Sequence, residues 1–117
     1  MVRDMSEKFV QQMKKGVLDM TVLKLIVEKD TYGYEILQEL EHRGGEFFRL
    51  KEGTLYPVLY RLEDGGHICS AWQDGEGRSA PKKYYTVTDK GRRTYAQYWS
   101  QWNEFIDCVK CICREEK

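Results

Sequence analysis

In the stretch EGTLYPVLYRLEDGG, residues 52–66, Leu55, Leu59 and Leu62 recur at helical spacing, and the residues between them carry the chemistry. Thr54, Tyr56, Pro57, Tyr60 and Arg61 fall on or near the face that the leucines leave free. Their hydroxyls and one guanidinium form a strip of hydrogen-bond donors aimed at an outside partner. A second chemically able group is Cys108, Cys111 and Cys113, with Cys69 apart from them. Cys108 and Cys111 make a CxxC on what reads as helix, where neighbouring thiols meet poor disulfide geometry. No histidine or second CxxC completes a tetrahedral metal set, because His42 and His67 lie far off in sequence. These thiols read as packed or incidental; the alternative is a redox or metal sensor built on Cys108, Cys111 and Cys113. No serine, cysteine or carboxylate stands beside a histidine at a recognisable catalytic spacing, and the GEG at residues 75–77 lacks the GK pair of a phosphate loop. The expectation is no enzyme, no catalytic residue, no metal and no cofactor.

The chain that must position these groups has 117 residues, the size of one small domain, and its 41% hydrophobic and 32% charged residues are those of a globular protein with a well-solvated surface. Lys plus Arg and Asp plus Glu number 19 each, so the molecule is not a polycation that coats nucleic acid indiscriminately. Any attraction for phosphate must be local. The start MVRDMSEKF lacks the apolar run of a secretion signal, and no stretch approaches the ~20 apolar residues that cross a bilayer. That reading is cytoplasmic, without a membrane partner.

Met5, Phe9 and Met13 recur every fourth residue and predict a short first helix ending near Gly16. Leu18, Val22, Leu25 and Ile26 predict a second, stopping before Asp30. Asp30 or Thr31 is placed to cap a third, TYGYEILQELEHRGG, with Ile36, Leu37 and Leu40 as its buried stripe and Gly44 and Gly45 at its end. FFRL reads as a strand. The helix of the opening stretch follows, with Pro57 tolerable only in its first turn and Gly65 and Gly66 beyond it. HICSAWQ and KKYYTVT alternate as the two strands of a hairpin around the turn-forming loop DGEGRSAP, and Tyr84 and Tyr85 split between its faces. Thr88 caps a last helix from about Asp89 to about Arg114. On it Tyr95, Tyr98, Trp102, Phe105, Val109 and Ile112 follow alternating steps of three and four, a heptad seam widened by Trp99, Ile106 and Cys113. An apolar stripe that wide needs a partner surface.

Helices followed by a hairpin give a mainly α (α+β) fold, a winged helix-turn-helix with an N-terminal helix over residues 1–87 and one long C-terminal dimerisation helix over 88–117. In that architecture the third core helix enters the major groove, about 12 Å wide, while the hairpin reaches an adjacent groove or the backbone. Residues 51–95 hold Lys51, Arg61, Arg78, Lys82, Lys83, Lys90, Arg92 and Arg93 against Glu52, Glu63, Asp64, Asp74, Glu76 and Asp89. This small basic surplus sits where the fold would meet DNA.

"TYGYEILQEL", "EGTLYPVLYRLEDGG" and "KKYYTVTDKG" resemble, in order and spacing, the signature segments of the PadR family of bacterial transcriptional regulators across about residues 17–93. A single helix after the wing resembles the small subgroup of that family, in which N-terminal and C-terminal helices together make the dimer. The resemblance implies repression by a homodimer bound to an inverted repeat of double-stranded DNA, with release by ligand, substrate or stress. Carried onto this chain, the family's DNA-holding positions are Tyr32, Gly33, Tyr34, Thr54, Tyr56, Pro57 and Arg61, with Lys82 and Lys83 on the wing beside Arg78. Hydroxyls and lysines would hold the backbone, and Arg61 a guanine edge. The structural alternatives are that Tyr32 and Tyr34 pack against the hairpin, Tyr34 the more buried, that Tyr56 and Pro57 only shape the helix start, and that the wing cations are an ordinary solvated loop. Trp102 matches a tryptophan that, in multidrug-binding members, sandwiches flat aromatic compounds, often cationic, at the dimer centre. Phe9 and Met13 would floor that cavity and Tyr98 and Trp99 close it. This sequence departs from those members by placing Ile106 where they have an acid one turn on. A filled dimer core around Trp102 is the alternative there, and a winged-helix protein-interaction module without DNA affinity is the alternative for the whole chain.

Overall fold

The structure is a computed structural model that describes residues 2–115, with side chains from residue 7 onward. The elements run α1 (Val2–Glu28), β1 (Thr31–Tyr32), α2 (Gly33–Gly44), a 3-10 turn (Gly45–Phe48), α3 (Glu52–Asp64), β2 (Ile68–Gln73), β3 (Lys82–Val87) and α4 (Asp89–Cys113). A winged helix-turn-helix results, mostly helical, with a three-stranded antiparallel sheet in the order β1-β3-β2. The core is Leu23, Ile26, Ile36, Leu55, Leu59, Leu62 and Ile68 with their neighbours, contributed by α1, α2, α3 and β2. Each of these fully buried aliphatic side chains contributes roughly 1.5–3 kcal/mol through burial.

Four local expectations are corrected. The two N-terminal helices are one: Gly16 sits inside α1 with no positive φ and no atom within 4 Å of an added Cβ. A glycine in a helix interior costs only about 1 kcal/mol, which is too little to end a helix whose apolar stripe continues on both sides. Met5 belonged to that argument, and its side chain lies outside those described. FFRL is not a strand, because Gly45, at φ 68°, turns the chain at the end of α2 and the next residues wind into the 3-10 turn. The third strand is instead Thr31–Tyr32, paired as Thr31 with Tyr85 and Tyr32 with Tyr84. Neither Asp30 nor Thr31 therefore caps α2: the cap residue is Tyr32, without a side-chain bond, and the Thr31 hydroxyl donates to the Glu35 carboxylate at 2.6 Å. Finally, Pro57 lies in the second turn of α3, since the helix already begins at Glu52. The bond it forfeits is to the Gly53 carbonyl in the exposed first turn, so the helix survives.

Other expectations hold. Leu55, Leu59 and Leu62 are buried, joined by Val58. Tyr85 is buried and Tyr84 half-buried. The Thr88 hydroxyl accepts the Gly91 amide N–H at 3.0 Å and so caps α4. Gly91 is buried where an added Cβ would overlap the His67 carbonyl.

Candidate nucleic-acid interface

Burial of Leu55, Val58, Leu59 and Leu62 turns the opposite side of α3 outward, and Thr54, Tyr56, Pro57, Tyr60 and Arg61 are all exposed. Tyr56 is fixed by a neighbour that sequence spacing does not reveal. A Cβ on Gly33 would stand 2.6 Å from the Tyr56 hydroxyl oxygen and 3.2 Å from Cζ, so the first residue of α2 is the seat of the Tyr56 ring. Gly33 itself is buried, which makes it a support for the donor face rather than part of it. Tyr56 also lies near Tyr85, whose hydroxyl is pushed up from its usual pKa by burial first, then by Tyr56 and Glu63.

Arg61 is held by an acid on another element. Its guanidinium donates to Asp19 of α1 at 2.7 Å, which pushes its already high pKa further up. Glu63, two residues on in sequence, accepts instead from Ser70 of β2 at 2.6 Å. Arg61 thus ties α1 to α3.

The wing residues divide between the two faces of the sheet, as strand alternation requires. Lys82, Tyr84 and Tyr32 share one face: the two rings meet at 5.2 Å between centroids, and the Lys82 ammonium stands 4.6 Å from the Tyr32 centroid. Tyr32 is therefore half-buried against the hairpin, whereas Tyr34 is 61% exposed, the reverse of the order expected from sequence. Lys83 lies on the other face with its ammonium 5.9 Å from the Tyr85 centroid. Arg78 is exposed in the loop between the strands, next to Gly77 at φ 58°.

Behind this surface an ion network clamps α1 to α2. Arg43 donates to Glu39 at 2.7 Å and to both carboxylate oxygens of Glu28, and Lys24 stands 3.6 Å from Glu28. The Arg43 hydrogen bond holds the Glu28 carboxyl below its ordinary range, overcoming the opposing effect of burial. Glu35 is likewise held low, first by the Thr31 hydroxyl and then, against burial, by Lys29.

The five residues expected to enclose a ligand are not brought together within one chain. Trp102 and Met13 line a cavity of about 530 Å³ with Val17, Phe48, Phe105 and Ile106. Phe9 is exposed. Trp99 lines a separate cleft of about 420 Å³ beside Lys24, Arg43 and Tyr95, and Tyr98 borders a smaller recess beside Asp19. Along α4 the rings form a ladder, Tyr95 on Trp99 at 6.5 Å and Trp99 on Trp102 at 6.0 Å, with interplanar angles of 13° and 8°. The four cysteines are free and exposed, and among the described residues no group of three or more His, Cys, Asp or Glu could hold a metal. Among the same residues no helix is long and apolar enough to cross a membrane.

The model of the family described as "Transcriptional regulator PadR-like family" matches residues 22–97. An uncharacterized protein of Lysinibacillus sphaericus is 39% identical over 95 residues, covering 81% of this chain and 86% of that one. The negative transcriptional regulator PadR of Bacillus subtilis is 32% identical over 111 residues, 86% of this chain, which spans 60% of that relative's length. Among solved structures, a PadR family transcriptional regulator from Eggerthella lenta superposes with a TM-score of 0.86 at 31% identity, covering 98% of this chain and 97% of that one.

Proposed function

The chain belongs to the PadR-like family of transcriptional regulators, which are not enzymes, and from that premise we propose that it acts as a homodimeric repressor on an inverted-repeat DNA operator, released when a planar aromatic molecule occupies the dimer centre. The observation that carries the DNA reading is the outward side of α3, where the leucines and Val58 are turned in and Thr54, Tyr56, Tyr60 and Arg61 are left exposed. Hydroxyls and ammonium groups there meet phosphate oxygens, and two such helices related by a dyad read two half-sites one helical turn apart. The dimer reading is supported by α4, whose stripe leaves Phe105 and Ile112 exposed after α1 has been covered. A two-fold interface would set that stripe against its own copy and bring Trp102 of each subunit to the axis.

A gel shift with the duplex that the protein selects from a random-sequence pool, against a scrambled duplex of the same composition, tests the DNA reading. Binding must favour the selected sequence and fall steeply with salt as phosphate contacts release counterions. Equal binding to both duplexes sinks it. Sedimentation equilibrium tests the dimer, and quenching of tryptophan emission by planar aromatic compounds tests the pocket. A panel without any quencher argues for a closed interface around Trp102.

A further inference from the structure

Ile68, Ser70 and Trp72 share one face of β2, and their partners on β3, Val87, Tyr85 and Lys83, share it with them. Along this face cover falls away in order. Ile68 is in the core, Ser70 reaches Glu63 on the flank of α3, and Trp72 is 68% exposed. The strand therefore runs out of the core past Glu63 of α3 and carries an exposed indole towards its far end, about 6.8 Å past Ser70. This is the helix side of the sheet, so the indole borders the angle between α3 and the wing rather than the side where Lys82 sits on Tyr32.

Nothing in the fold accounts for a tryptophan there. The ring pairs among the described residues are Tyr32 with Tyr84 and the ladder on α4, and Trp72 is in neither. Its cross-strand partner Lys83 does not fold over it, because that ammonium lies back towards Tyr85. An indole combines a large apolar body with one N–H donor. A partner that suits it beside Lys83 is both anionic and partly apolar, and the sugar-phosphate backbone of DNA presents deoxyribose between its phosphates.

Building on the reading of this chain as a DNA-binding regulator, we infer that Trp72 is a DNA-contact residue of the wing, packing its indole on the backbone beside α3 while Lys83 neutralises a neighbouring phosphate. The two residues contribute in different ways, and salt separates them. A cation at a phosphate releases counterions, whereas an indole on a sugar does not.

The test measures affinity of wild type, W72F, W72A and K83A for the duplex that wild type selects from a random pool, over a series of salt concentrations. W72A binds about fivefold or more weakly at every salt concentration, with the wild-type slope, and W72F falls between them. K83A lowers the slope by about 0.9. The part of the wild-type emission that W72F lacks shifts to the blue or is quenched on adding duplex. Wild-type affinity in W72A, or a slope in W72A reduced as in K83A, overturns the assignment of Trp72 alone. A wild-type chain that binds no duplex overturns the DNA reading together with it.

Discussion

Replacing Gly33 by alanine isolates the support beneath the proposed DNA-contact surface. Gly33 has no positive φ, so alanine meets no backbone strain, and its lower unfolded-state entropy favours folding by ~0.4–1 kcal/mol. Against this, the new methyl would stand 2.6 Å from the Tyr56 hydroxyl oxygen, and ordinary contact begins at 3.4 Å, so the end of the ring must move by about 0.8 Å. Tyr56 is 47% exposed and can swing outward, which keeps the cost at the low end of overpacking, about 1 kcal/mol. The two effects nearly cancel, and the melting temperature stays within a few degrees of wild type. DNA affinity does not stay. A hydroxyl displaced from a phosphate loses a charge-assisted bond of about 1.5–3 kcal/mol, which is roughly tenfold or more in Kd. Fluorescence anisotropy on the selected duplex and thermal melting are run on G33A, Y56F and the double variant. Without the hydroxyl the methyl meets Cζ at 3.2 Å and Cε1 at 3.6 Å, so G33A adds little to Y56F. An unchanged Kd in G33A, or the same fold-loss with and without the Tyr56 hydroxyl, refutes the reasoning.

The Arg61–Asp19 pair is largely exposed, so D19N costs at most about 1 kcal/mol in chemical denaturation, and by freeing the guanidinium it strengthens duplex binding at low salt; weaker binding in D19N would show that Arg61 works only while held. Glu28 and Glu35 have folded pKa values below their ordinary 4.5, so their stabilisation is complete above that value and is lost as pH falls through the lowered ones. Melting temperature falls on acidification below pH ~4.5, and E28Q in combination with E35Q flattens that fall. In G91A the methyl is driven into the His67 carbonyl, which is backbone and cannot swing away. Its loss of stability exceeds that of G33A by several kcal/mol in denaturant titration.

The helices of the core were legible because their signals are local. Leu55, Leu59 and Leu62 state one buried side within a few turns, and Thr88 announces α4 by its own hydroxyl. What stayed hidden depends on partners far along the chain. Thr31–Tyr32 is a strand only because β3 lies alongside it, more than fifty residues later. Asp19 and Arg61 are 42 residues apart, and no spacing rule pairs them. Gly16 misled in the opposite sense: glycine permits a break, and only the packing of both halves of α1 decides that none occurs. The seat of Tyr56 on Gly33 combines these cases, since two residues both expected at the DNA turn out to be one behind the other.

The unbroken α1 makes a lever of the N-terminal quarter of the molecule. Its 27 residues span about 40 Å, with Met13 at the Trp102 cavity on one arm, Val22 and Leu23 as a fulcrum in the core, and Asp19 gripping α3 between them. A rod without a joint at Gly16 cannot absorb a push at Met13 locally. In the proposed mode of release, a molecule that wedges the cavity open pushes on the Asp19–Arg61 pair as well, and so on the helix proposed to face the duplex.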